Sequence, residues 1–156
     1  MFVSGLTCCL AKALILGPSN LTDYWSRSTA AGMLMYKIVE DRERGLLLIT
    51  LSGFWDDDEV DRYAVDLAKV ARGMGALFRG RLVDCCAVSV QSPSVMERLR
   101  STVSTLDGVS TSYTAFVVPI GLARMQAQRV FADRDKIAWF SDAAEALEWL
   151  LAECSR

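Results

Sequence analysis

The sequence predicts an α/β domain, a mixed sheet of about five strands with about four helices. Three observations lead to this prediction. After an opening pair of apolar strand-like runs, short apolar runs alternate with longer amphipathic segments. Three of the amphipathic segments begin after a residue that caps helices. The 156 residues are 52% apolar and 23% charged, which is typical of one globular domain with a sizeable core.

The first element is predicted to be a β-hairpin. The stretch MYKIVEDRERGLLLITLSG, which begins at Met35, contains two strands around the polar turn DRERG. Tyr36 and Ile38 share one face of the first strand. The run LLLITL is apolar on both faces, as expected of a central strand covered on both sides. The hairpin therefore adds an antiparallel element to a mostly parallel sheet.

The next segment, DDDEVDRYAVDLAKVARGMG, is predicted to be a helix. Asp56 can cap it, and Glu59 can complete a capping box. The cluster of acids at its start could also bind a metal ion. We favour the helix role because acids in a first turn complement the helix dipole and no second ligand cluster is evident, so we predict no metal site. Its apolar stripe consists of Val60, Tyr63, Ala64, Leu67, Val70, Ala71 and Met74.

The remaining chain alternates strands and helices. The runs GRLVDC, YTAFVV and KIAWF are predicted strands. Ser92 is a natural N-cap for the second helix, with Pro93 at the first helical position. GLARMQAQRVF predicts a shorter third helix, and Asp142 with Glu145 can form the capping box of the last helix. The inner side of the second helix consists of Val95, Met96, Leu99, Val103 and Leu106.

The composition restricts the chemistry. The chain has no histidine, which removes Ser-His-Asp and Cys-His catalysis and the commonest transition-metal ligand. We therefore predict no enzyme, no catalytic residue and no cofactor. The net charge is −2 and the pI is about 5.2, without a basic run, which disfavours nucleic acid and anionic membrane surfaces as partners. Five cysteines with two vicinal pairs form a poor disulfide framework and favour a reducing cytoplasm.

Residues 1–32 differ in composition from the rest. The run CCLAKALILG lacks the features of a signal peptide and is too short to span a bilayer. We expect an N-terminal extension that contributes little to the core, with the domain covering residues 33–156. A short partner-binding or interfacial helix from Thr7 to Leu16 is the alternative.

From Met35 onward the sequence resembles the SpoIIAA-like, STAS-type family of small bacterial α/β proteins. The resemblance covers about residues 35–152 and rests on LSGFWDDDEV, RLVDC and the closing VFADRDKIAWFSDAAEALEWLL. It implies a STAS-like fold and a non-enzymatic binding or regulatory function. Some members of the wider family look like binders of lipids or other apolar ligands, and anti-sigma-factor antagonists are phosphorylation-controlled protein partners.

The phosphorylation switch of those antagonists is an Asp-Ser-Ser-Gly stretch at the start of the second helix. The corresponding stretch here is Ser92, Pro93, Ser94 and Val95. It lacks the acid and the glycine, and Pro93 occupies the place of the phosphorylated serine. Ser92 and Ser94 remain the candidate phosphosites, although the sequence favours them as cap residues.

We predict a ligand site at the carboxyl ends of the strands, where open α/β sheets collect ligands. The predicted contacts are Phe54, Trp55, Asp84, Ser92 and Pro119, around an apolar body with a small polar head. A lipid or other apolar small molecule is one predicted ligand, and a regulatory protein partner is the alternative. The sequence leaves the oligomeric state open, with a homodimer as one option.

Several polar, cysteine and tryptophan residues at or near the predicted site also have a purely structural explanation. Asp84 can be a carboxylate satisfied by loop N–H groups. Cys85 and Cys86 are favoured as inert buried thiols because no cation lies nearby in sequence to lower their pKa. Trp55, Trp139 and Trp149 can be ordinary core residues.

Overall fold

The computed structural model describes residues 35–107 and 112–156. The opening hairpin pairs β1 (Tyr36–Asp41) with β2 (Leu46–Gly53) in antiparallel register, Ile38 opposite Ile49. Gly45 closes the turn with a φ of +70°, a conformation that glycine adopts without the strain of a side chain. Its backbone also passes so close to Leu77 O that a Cβ would clash.

The other strands join in parallel. β3 (Gly80–Val88), β4 (Tyr113–Val117) and β5 (Ile137–Phe140) follow in sequence order, so the described sheet is β1-β2-β3-β4-β5. The register shifts where Thr50 pairs with Asp84 but Ser52 pairs with Ala87. Two residues of β3, Cys85 and Cys86, therefore lie opposite one residue of β2, which is the geometry of a β-bulge.

Four α-helices cover the two faces of the described sheet. α1 (Asp57–Met74), α2 (Pro93–Asp107) and α3 (Leu122–Val130) follow β2, β3 and β4, and α4 (Ala143–Cys154) follows β5. Asp56 caps α1 by accepting a hydrogen bond from Glu59 N at 2.8 Å. Asp142 caps α4 in the same way, accepting from Ala144 N and Glu145 N. The predicted fold, with five strands and four helices, is confirmed.

Two apolar cores lie on opposite faces of the sheet. Leu47 and Ile49 of β2 point to the core under α1 and α2, while Leu46 points to the core under α4. This alternation explains why β2 is apolar on both faces. Each fully buried leucine contributes about 1.5–3 kcal/mol of hydrophobic stabilisation.

The predicted N-terminal extension, residues 1–32, lies outside the described residues. In the part of the chain that the structure describes, no helix is both long enough and apolar enough to cross a membrane.

Candidate functional site

A narrow apolar cavity of about 80 Å³ lies between the sheet and helices α2 and α3. β3 forms its floor because alternate residues of a strand point to the same face. Val83 and Cys85 therefore face it together with Arg81, and Val88 faces it beyond the bulge. At about 3.3 Å per residue, the stretch from Arg81 to Cys85 extends roughly 13 Å along the strand. The other apolar lining residues are Leu51, Met96, Leu99, Val103, Phe116, Val118, Ala123, Ala127 and Phe131.

One end of this cavity contains a buried cation. Arg81 is only 2% exposed, and its Nε donates a hydrogen bond to Oγ1 of Thr114 at 3.1 Å. Both residues line the cavity at the amino end of the strands. A buried guanidinium is costly unless anionic or polar groups satisfy its donors. This end of the cavity is therefore chemically distinct from the apolar remainder.

Burial favours the neutral form of the thiol in the cavity wall. Burial, with a smaller contribution from the carboxylate of Asp84, raises the pKa of Cys85 well above its usual value. Burial also raises the pKa of the Tyr63 phenol, which lines the same cavity. Neither group ionises near neutral pH, so both present neutral surfaces to a guest. Nucleophilic chemistry by the thiolate of Cys85 is thereby disfavoured.

Gln91 closes the opposite end, at the carboxyl edge of the sheet. Its buried side chain accepts a hydrogen bond from Trp55 N at 2.8 Å and donates to the carbonyls of Gly53 at 2.9 Å and Ser89 at 2.7 Å. Its backbone pairs reciprocally with the side-chain amide of Gln126 on α3, at 3.0 and 2.7 Å. These bonds hold the loop after β2, the loop after β3 and helix α3 together.

α3 is the most lightly packed wall of the cavity. None of its residues, Leu122–Val130, is fully buried. Besides the Gln126 contacts, Arg124 anchors it by donating to the carbonyl of Trp139 at 3.3 Å and to the hydroxyl of Ser141 at 3.1 Å. A helix without a fully buried residue separates more cheaply than one with a buried apolar face.

An open apolar groove lies outside the cavity, between α2 and α3. Its volume is about 450 Å³, and its rims carry Glu97 and Arg129. Beside it, Ile120 is 86% exposed. Exposed apolar side chains grouped in this way mark sites of contact with other molecules. The apolar residues of the groove are Val90, Pro93, Met96, Leu122, Met125 and Val130.

No protein-family model matches the chain, and no curated protein matches it. The chain is similar to several solved structures, two of which illustrate the likeness. One is an uncharacterised protein of the DUF3478 family from Shewanella loihica PV-4 with a SpoIIAA-like fold, at a TM-score of 0.55 and 15% identity, over 78% of this chain and 98% of that chain. The other is an anti-sigma factor antagonist from Mycobacterium paratuberculosis, at a TM-score of 0.54 and 16% identity, over 74% of this chain and 93% of that one.

This chain has a SpoIIAA-like fold. The fold implied by the sequence resemblance is confirmed, and at such low identities the likeness extends to the fold alone.

The SpoIIAA-like domain places the five predicted ligand contacts in different environments. Phe54 is 61% exposed and Pro119 is also exposed. Trp55 is 3% exposed and packs against Tyr36 and Tyr63 at ring-centroid distances of 5.8 and 5.4 Å. None of the three lines the cavity between the sheet and α2–α3. Their contact with a ligand stays a prediction.

Asp84 supports the bulge in β3. Its Oδ1 accepts a hydrogen bond from Cys86 N at 2.9 Å, and this bond satisfies an N–H group that the bulge removes from the regular ladder. The two thiols point to opposite faces, as successive residues of a strand do, Cys85 to the core under α1 and Cys86 to the core under α4. Both cysteines are free.

The two candidate phosphosites have different partners. Ser92 Oγ accepts a hydrogen bond from Val95 N at 3.3 Å, in the geometry of the predicted N-cap. Ser94 is exposed, and its hydroxyl donates to Oδ1 of Asp57 at 2.7 Å. Arg98 contacts the other oxygen of Asp57 at 3.3 Å. A phosphate on Ser94 would therefore meet the carboxylate of Asp57 and the guanidinium of Arg98.

Sequence reasoning missed the residues that define the ends of the cavity. Gln91, Gln126 and Arg81 carry no motif, and a glutamine in a loop is usually exposed. The available signal was Arg81 itself, a cation placed in a predicted strand directly before the apolar pair Leu82 and Val83. Among the described residues, no group of three or more His, Cys, Asp or Glu side chains could hold a metal ion.

Proposed function

We propose that this protein is a non-enzymatic binding module that holds a small apolar ligand between the sheet and helices α2 and α3. The observation that carries the proposal is the cavity of about 80 Å³ with an almost entirely apolar lining. In the apolar middle of the cavity, between Arg81 and Gln91, a water molecule would lack hydrogen-bond partners, so this part suits an apolar guest.

The size of the cavity restricts the ligand. An engineered cavity of about 150 Å³ accommodates benzene, so the present one suits a slimmer guest. The lining residues follow β3 for roughly 13 Å, which favours an unbranched chain over a ring. A larger ligand requires α3 to move outward, and the light packing of α3 supports such a movement.

Native mass spectrometry of the protein purified from its own host tests this proposal. We expect a non-covalent apolar ligand that is released on unfolding. Ala127 lines the cavity, so Ala127→Leu fills it with three added carbons and should abolish ligand retention while keeping the fold. Ala152→Leu, at an exposed position of α4, is the matched control and should retain the ligand. Equal retention by both variants would contradict the proposal.

A second candidate function is that of a phosphorylation-regulated switch protein that binds a protein partner. The specific observation in its favour is the apolar groove between α2 and α3, next to the helix start that carries Ser92 and Ser94. One of the structural neighbours is an anti-sigma factor antagonist, a protein whose name implies a protein partner. An apolar segment with flanking charges would complement the groove between Glu97 and Arg129.

Affinity capture from the host with Leu122→Asp and Met125→Asp variants tests this second candidate. Both side chains are exposed, so the substitutions should leave the fold intact while placing a charge in the groove. Leu77→Asp, at an exposed site away from the groove, is the control. We expect the groove variants to lose a specific partner that the control retains. A partner that all variants bind equally would exclude the groove, and capture of a second copy of the chain would indicate a homodimer instead.

A further inference from the structure

We propose that residues 6–16 of this chain bind, as a short amphipathic helix, in the apolar groove between α2 and α3. This inference goes beyond the proposed function, because it concerns the outer groove and not the cavity under the helices. The segment itself lies outside the described residues. Its own sequence, the exposed groove and the place where the described chain begins support the binding.

Exposed apolar side chains are concentrated at the groove and at the adjacent edge of the sheet. The described residues expose seven large apolar side chains, of which Val65 and Leu77 lie elsewhere. Leu122 and Met125 line the groove and are 73% and 50% exposed. Apolar surface grouped in this way favours a bound partner. The side chains at the groove and the adjacent edge are Phe54, Val90, Ile120, Leu122 and Met125.

The sequence of residues 6–16 suits an apolar groove. Its apolar residues recur at helical spacing and predict a stripe along one face of a helix. Gly17 and Pro18 follow directly, and both are typical of the end of a helix. Lys12, the one charged residue of the segment, lies outside the stripe. The stripe consists of Leu6, Cys9, Leu10, Ala13 and Leu14.

The described chain begins beside the groove. The carbonyl of Met35 accepts a hydrogen bond from Ser52 N at 2.8 Å, at the carboxyl end of β2. On the other side of β2, the carbonyl of Gly53 accepts from Ser89 N at 3.1 Å. Met35 and Ser89 are therefore two strand spacings apart, about 10 Å. Val90, the next residue, lines the groove.

The connecting residues are long enough for the segment to reach the groove. Residues 17–34 can span at most about 60 Å when extended, and an average coil of the same length spans roughly 25 Å. The groove lies one further layer of packing beyond Ser89, so about 20 Å from Met35. A connection that matches the span gives an effective concentration in the millimolar range. Even a weak contact is then occupied within one chain.

Such a contact would affect the second candidate function. A partner protein that uses the groove would have to displace residues 6–16 first, so the segment would lower the apparent affinity for that partner. The contact lies at the surface and is weak. It therefore agrees with the small change in melting temperature that we expect for a chain that begins at Met33.

Paramagnetic broadening of methionine signals in the full chain tests the proposal. A neutral gadolinium chelate broadens the ε-methyl NMR signal of an exposed methionine more than that of a covered one. Met125 reports on the groove, and the buried Met74 on α1 is the internal control. Leu10→Asp places a charge in the stripe. Ile15→Asp, outside the stripe, is the matched control, with the same added charge and the loss of a similar aliphatic side chain.

We expect Leu10→Asp to increase the broadening of Met125 about twofold or more, since a segment at millimolar effective concentration covers the groove at least half of the time. Ile15→Asp should leave the broadening unchanged. An effect that is equal in the two variants, including no effect in either, would overturn the proposal.

Two further measurements assign the occupant. Leu122→Asp, on the groove side, should alter the Met125 signal as Leu10→Asp does, whereas Leu77→Asp, at an exposed site away from the groove, should not. A Met125 signal that is the same in all four variants would refute the groove as the binding site. Broadening that stays constant on dilution supports binding within one chain. Broadening that increases on dilution would show that a second copy covers the groove, and would overturn the assignment to residues 6–16 of the same chain.

Discussion

Replacing Gln91 with alanine should destabilise the domain by about 3 kcal/mol. The substitution removes three hydrogen bonds, from Trp55 N and to the carbonyls of Gly53 and Ser89. Each is expected to contribute about 1 kcal/mol net. Water can reach the exposed Ser89, so its carbonyl is satisfied after the substitution, whereas the N–H of the buried Trp55 is not. The measured loss of unfolding free energy is therefore expected to be close to the sum of the three hydrogen-bond contributions.

Urea unfolding monitored by circular dichroism measures this loss as a shift in midpoint at constant slope. In a domain of this size, 3 kcal/mol corresponds to a melting temperature lower by about 10 °C. Gln128→Ala is the matched control, because Gln128 is on α3 and its side chain makes no hydrogen bond among residues 35–107 and 112–156. A loss below about 1 kcal/mol, or a loss equal to that of Gln128→Ala, would refute the account of Gln91 as the connection between the loops.

Three further predictions concern the cap, alkaline pH and the N-terminal segment. Ser92→Ala should lower the free energy of unfolding by about 1 kcal/mol in urea, whereas Ser92→Asp should be nearly neutral because Asp also caps helices. If Ser92→Asp changes partner binding without changing stability, Ser92 is more than a cap. Burial, together with the hydrogen bond to Asp66, raises the pKa of Tyr36 to about 12, so the folded chain keeps a proton that the unfolded chain releases from about pH 10. The free energy of unfolding should therefore fall as the pH rises from 10 to 12, and it should fall less steeply in Tyr36→Phe. Equal dependence of stability on pH in the two proteins would argue against a contribution from Tyr36. A chain that begins at Met33 should melt within a few degrees of the full chain by differential scanning calorimetry, and a large loss would show that residues 1–32 stabilise the domain.

The elements of the fold were predictable because their signals are local. Asp56 and Asp142 each precede an apolar stripe at helical spacing, and both cap the predicted helix. The run LLLITL is apolar on both faces, and this local pattern predicted the strand that lies between the two cores. Such signals depend on residues within about one turn of each other, which a single sequence displays directly.

The cavity was not predictable because it depends on residues that are distant in sequence. It is bounded by side chains from β2, β3, β4, α1, α2 and α3, and a change of one methyl group in any of them alters its volume. Asp84 illustrates the same limit. From the sequence, an acid at a strand end predicts a ligand contact in a cleft as well as it predicts a structural role. In the structure, Asp84 accepts a hydrogen bond from the N–H of Cys86 at a bulge. Trp55 follows a strand-ending glycine, yet it packs among Tyr36 and Tyr63 because α1 folds back over the hairpin.

A crystal structure of the protein under xenon pressure tests the central claim most directly. Xenon enters apolar cavities and needs no polar partner, so its position reports the cavity independently of the natural ligand. We expect a xenon atom between Cys85, Met96 and Phe116, inside the cavity under α2 and α3. The same experiment with Ala127→Leu should show this position empty. Xenon bound only in the outer groove at Leu122 and Met125, or not bound at all, would contradict a ligand-binding cavity in this domain.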